Sequence, residues 1–113
     1  MKEIRAIIRP DAVHRVLSAL HSCAHFPGAT LATCEGQNRG RGPGGAYVAT
    51  EDALDLRAMR QLTVFCADDA YDHLVSVIQS AAHTGNVGDG IVVVAEVVRV
   101  VRIRSGEEQQ DAV

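Results

Sequence analysis

The chain has 113 residues, 47% hydrophobic and 22% charged, with a formal net charge of −3. That length supports one buried core, so residues 1–113 are expected to form a single domain, and the composition is globular rather than disordered. The acidic balance argues against nucleic acid or a lipid surface as a general partner, because both draw strongly basic faces.

No charged-then-apolar leader opens the sequence, and no apolar run reaches the roughly 18–20 residues that span a bilayer. A cytoplasmic protein is expected, meeting a membrane only through a protein partner. Cys23, Cys34 and Cys66 form an odd, scattered set without CxxC spacing. They are expected to be reduced and mostly buried, acting as small hydrophobes.

In chain order, KEIRAIIRP (2–10) alternates polar and apolar residues, then stops at Pro10, and reads as a strand leading into a helix with Asp11 in its first turn. Val13, Val16, Leu17, Leu20 and Ala24 recur at helical spacing, predicting a helix from Val13 to about His25. FPGA (26–29) breaks it, and TLATCEG (30–36) alternates into a second strand. Residues 36–59 open with five glycines and a proline in ten positions, and a loop of this length is usually functional. A strand at 61–67 follows, then a helix at 68–83 that Asp68 or Asp69 can cap. The glycine loop TGNVGDG (84–90) leads into the valine-rich strand 91–98. The order predicts an α+β domain of ferredoxin-like βαββαβ type, with both helices on one face of an antiparallel sheet. Strand 91–98 is apolar on both faces, more than one helical layer can cover, which predicts an oligomer.

Two features carry chemistry. In the glycine loop, Gly85 suits a left-handed cap, while Gly88 and Gly90 allow close approach of a ligand and can turn N–H groups toward an anion. Arg102 and Arg104, two residues apart on a segment read as extended, project together, and the guanidinium fork suits phosphate. A tight helix-to-strand connection and a solvated basic strand account for the same residues, and the residues alone leave that choice open. His14, His21 and His25 share one sector of the first helix, and His21 with His25 at i and i+4 could bind zinc or copper. A solvated histidine stripe is the alternative, since no acidic or cysteine ligand completes the set. No carboxylate pair or nucleophile–base pair stands at a useful spacing, so no enzyme is expected.

MKEIRAIIRPD at the start, GQNRG at the base of the long loop, TGNVGDG and the terminal VVRVVRIRSGEE together resemble the PII signalling proteins, trimeric regulators of nitrogen and carbon metabolism. The resemblance covers essentially the whole chain. It implies a homotrimer, a long T-loop at about 37–57, a tail at about 105–113, and an adenine nucleotide in the cleft between subunits. The positions it carries over are Ile8, Thr30, Gly36, Arg39, Thr84, Gly88, Asp89, Gly90, Arg102 and Arg104, with Asn38, Gly85 and Val87 beside them. Ile8, Thr30 and Gly36 would surround base and ribose, Gly88, Asp89 and Gly90 would offer backbone to the phosphates, and the two arginines would neutralise them.

The sequence also departs from the family. Gly40 replaces the glutamine that helps hold magnesium with 2-oxoglutarate, and Met59 replaces the lysine that pairs with that ligand, although Arg57 and Arg60 lie close by in sequence. Ile91 replaces the lysine that reaches the phosphates, a loss that weighs most on a triphosphate. Tyr47 is kept, but Asp52 stands where the family carries its modified tyrosine, so uridylylation at that position is excluded. The reading is a non-enzymatic sensor of ADP or AMP, with ATP a third candidate, acting on a protein target through residues 37–57. The alternatives are a sensor of inorganic carbon, with bicarbonate beside the nucleotide, and a metal-binding member using His14, His21 and His25.

Overall fold

A computed structural model describes residues 1–37 and 56–113. Strand β1 (Lys2–Ile8) runs through a short 3-10 turn (Pro10–Ala12) into helix α1 (Val13–His21). Strands β2 (Thr30–Gln37) and β3 (Leu56–Cys66) follow, then helix α2 (Tyr71–Ala82) and strand β4 (Gly90–Glu96). The four strands form one antiparallel sheet in the order β2-β3-β1-β4, which is the ferredoxin-like arrangement.

The two-residue strand period sorts the side chains. Ile4, Ala6 and Ile8 of β1 and Leu62, Val64 and Cys66 of β3 are at most 1% exposed and meet Val16 and Leu20 of α1 and Leu74 and Ile78 of α2. Burying such an Ile or Leu contributes about 1.5–3 kcal/mol, so this layer holds the domain together. Among the described residues, no helix covers the opposite sheet face. There Phe65, Ile91 and Val93 are 40%, 59% and 45% exposed, flanking the Glu3–Arg5 ion pair of β1, which leaves large apolar side chains on an open face.

Several boundaries differ from expectation. Helix α1 ends at His21 rather than near His25, its last turn tightening through Cys23 N–H to Leu20 O at 2.9 Å. Neither helix has a side-chain N-cap. Asp68, expected as a cap, instead accepts the Met1 ammonium at 2.8 Å. Strand β3 begins at Leu56, five residues before the expected start, because pairing with β2 continues through Gln37↔Leu56. Strand β4 stops at Glu96, so Arg102 and Arg104 are not on an extended continuation of it. They lie on a hairpin, closed by Arg102 N–H to Glu107 O and Gly106 N–H to Arg102 O, each 2.8 Å.

Gly90 opens β4 opposite Ile8 with φ +103°, and a Cβ there would sit 1.7 Å from the Ile7 carbonyl oxygen. Gly106, φ +74°, has nothing within 4 Å of the same position. Gly90→Ala is therefore expected to lose about 2–4 kcal/mol of stability and Gly106→Ala about 1 kcal/mol. Urea denaturation of the two variants checks this, and equal losses would contradict the close approach.

Candidate functional site

The glycine loop between α2 and β4 is organised around one carboxylate. Asp89 accepts the Thr84 hydroxyl, the Thr84 amide at 2.8 Å and the Gly85 amide at 3.0 Å. Arg9, just past the end of β1, donates from Nε to Asp89 at 3.3 Å and from Nη2 to the Val87 carbonyl oxygen. The Thr84 hydroxyl also accepts the Asn86 amide at 3.1 Å. The Thr84 hydrogen bonds, with the Gly85 amide and Arg9 adding to them, hold the Asp89 carboxyl well below the usual carboxylate range. Gly85, Gly88 and Gly90 all have positive φ, a conformation that costs glycine nothing and other residues a strained backbone.

This loop borders an open cavity of about 1000 Å³ at one end of the uncovered sheet face. Gly36, Val87, Gly88 and Gly90 line it, with Arg9, Arg57 and Met59. Thr30 and Arg102 line a second cavity of about 330 Å³ with Gly28, Thr63 and Phe65. The two cavities share no lining residue. Thr30 and Gly36 are six residues apart on β2, roughly 20 Å at the rise of an extended strand. Within one chain, the glycine loop and Arg102 therefore belong to separate surfaces. Arg104 is on the exposed hairpin turn. Among the described residues, no side-chain hydrogen bond or ion pair engages Arg102 or Arg104. Asn38, Arg39 and Gly40, like Tyr47 and Asp52, lie outside the described residues.

Two expectations are corrected by the strand period. Ile8 faces the helices and is 1% exposed, while its neighbour Ile7 faces the larger cavity. Arg57 lines that cavity, whereas Arg60 has the opposite parity on β3 and donates from Nη1 to the Met59 carbonyl oxygen at 2.9 Å. Sequence reasoning passed over Arg9. Its signal was parity with Arg5 and Ile7, which puts it on the uncovered face at the end of β1. Around the histidines, His21 packs edge-on to Phe26 with centroids 5.7 Å apart. Among the described residues, no three His, Cys, Asp or Glu side chains gather as a metal site. Also among them, no helix is long and apolar enough to cross a membrane.

The family model described as Nitrogen regulatory protein P-II matches residues 1–107. The chain belongs to the P-II family. It is 37% identical to the nitrogen regulatory protein P-II of Azospirillum brasilense over all of both chains. It is also 35% identical to the nitrogen regulatory protein GlnK of Escherichia coli K12 over 99% of each chain. Nitrogen regulatory protein P-II 2 of Methanothermobacter thermautotrophicus is 36% identical over all of this chain and 97% of its own. P-II proteins are regulatory signal transducers, not enzymes, which bears out the non-enzymatic expectation.

Because its pKa lies below the usual value, Asp89 contributes stability above the ordinary carboxylate pKa of about 4 and loses it only as pH falls through its own lower value. Protection of the Thr84 and Gly85 amides, corrected for intrinsic exchange, should therefore stay flat from pH 8 to 5. Asp89→Ala should reduce it about 10-fold. Hydrogen exchange followed by NMR checks both, and unchanged protection in the variant would remove Asp89 from the centre of the loop.

Proposed function

We propose that this chain is a homotrimeric nucleotide sensor that binds ADP or AMP between subunits and signals to a protein partner in the cytoplasm through residues 37–57. The observation that carries this reading is the separation of the two half-sites. One end of the uncovered sheet face bears the glycine loop, with its left-handed glycines and close-approach backbone. The smaller cavity bears Thr30, Thr63, Phe65 and Arg102. Phe65 and Thr63 share the uncovered face with Ile7 and Ile91, by the register of β1, β3 and β4. Packing these faces together in a closed ring buries the apolar surface and sets one copy's glycine loop against the next copy's arginines. Arg102 and Arg104, without protein counter-charges among the described residues, then meet an anion that suits their geometry.

The departures from the family pattern set the ligand choice. Met59 and Ile91 place apolar side chains at the larger cavity where family members carry lysines. A diphosphate or monophosphate has less charge to offset there than a triphosphate. For the same reason, 2-oxoglutarate is expected to give no measurable enhancement of ATP binding, and magnesium-dependent synergy in calorimetry would show Arg57 replacing the missing lysine.

Light scattering should give a trimer, and a monodisperse monomer near 12.0 kDa would refute the assembly. Arg102→Ala should weaken ADP by about 10- to 100-fold in calorimetry, the worth of a charge-assisted hydrogen bond, while adenosine is nearly indifferent. Parental ADP affinity in a variant that still forms trimers would leave Arg102 and its hairpin as solvated surface.

A further inference from the structure

The glycine loop lies beside a cation that does two things at once. The Arg9 guanidinium has five N–H donors in a rigid fork. It donates from Nε to Asp89 and from Nη2 to the Val87 carbonyl oxygen, which leaves three donors uncommitted. The side chain is 31% exposed, lines the larger cavity, and has Nη2 3.3 Å from where a Cβ on Gly88 would stand. Its charged end therefore lies against the Gly88 backbone at the cavity edge. The other cation lining this cavity among the described residues is Arg57, opposite Gly36 in the β2–β3 register. Its strand β3 is two places from β4 in the sheet, roughly 10 Å at ordinary strand spacing. On the loop side, the rim residue is the apolar Ile91, 59% exposed.

We infer that Arg9 is the phosphate-binding cation of the glycine-loop half-site, clamping the loop with two of its donors and presenting the rest to the anion. This rests on the reading of the loop as a phosphate half-site. Asp89 offsets part of the Arg9 charge and keeps the fork oriented, because Nε is held while Nη1 stays free to face the cavity. One partly offset guanidinium suits one or two phosphates better than three. A lysine in its place keeps the charge but presents one compact ammonium, unable to hold Val87, Asp89 and an anion together.

The test is calorimetry with ADP and with adenosine on trimers of the parent, Arg9→Gln, Arg9→Lys and the double variant Arg9→Gln/Ile91→Lys. Arg9→Gln should lose about 10- to 100-fold in ADP affinity, with adenosine unchanged within about twofold. Arg9→Lys should fall between it and the parent. The double variant places a new ammonium on the same rim and should recover most of the loss without restoring the clamp. A parallel fall for ADP and adenosine, with no recovery in the double variant, would reduce Arg9 to a structural clamp and overturn the inference. Parental ADP affinity in Arg9→Gln would overturn it alone, leaving the nucleotide reading intact. A parent trimer that binds no ADP would overturn both.

Discussion

Strand β1 is the element on which the rest of the molecule depends. It pairs with β3 on one side and β4 on the other, so every residue from Lys2 to Ile8 has two strand neighbours. Its alternation sends Ile4, Ala6 and Ile8 under the helices and leaves Arg5, Ile7 and Arg9 to the other face. The same strand end then positions the glycine loop. Gly90 pairs with Ile8 so closely that only a glycine fits against the Ile7 carbonyl, and Arg9 ties down Asp89 and Val87. The core and the candidate site are thus two faces of one strand, and a register slip would destroy both.

The element order, the helix-covered face and the glycine loop were legible in the sequence because each rests on local periodicity or on residue types with strong backbone preferences. What escaped were features set by partners distant in sequence. Asp68 has the composition of a cap, but the Met1 ammonium, 67 residues away, takes its carboxylate. Leu56 to Arg60 lack a strong strand pattern and become strand through pairing with β2. Ile7 and Ile8 are chemically alike, and only the pairing with β3 and β4 decides which of them faces the cavity. Arg9 offered a charge but no motif, since the carbonyl it donates to, Val87, lies 78 residues away. Arg102 and Arg104 continue a valine run in sequence, yet backbone bonds to Gly106 and Glu107 turn them onto a hairpin.

Family membership and the departures from it fit one physical picture. The chain matches the P-II family over residues 1–107, and two of the departures read from the sequence, Met59 and Ile91, line the larger cavity. Apolar Met59 and Ile91 lower the positive charge of the larger cavity, and Arg9 supplies a guanidinium already partly satisfied by Asp89. If the proposed phosphate site is correct, it gains less from each added phosphate than one lined by free lysines, because the extra charge meets no extra cation. On the proposed reading, signalling turns on which nucleotide biases the segment 37–57, where Asp52 stands at the position of the family's modified tyrosine.

The central claim is that one nucleotide site is assembled from the glycine loop of one copy and Arg102 of another. Its most direct measurement is complementation between two variants that each lack one half. Gly88→Val, which places a branched side chain against Arg9 at a positive φ, and Arg102→Ala are co-expressed with different tags, and the mixed trimers are isolated and titrated with ADP. In every mixed ring, one of the three interfaces joins two unmodified halves, about a third of the sites. The account predicts that this share of sites regains parental affinity although neither variant trimer binds well alone. Mixed trimers that bind ADP no better than the two variants would show that the halves do not meet across subunits.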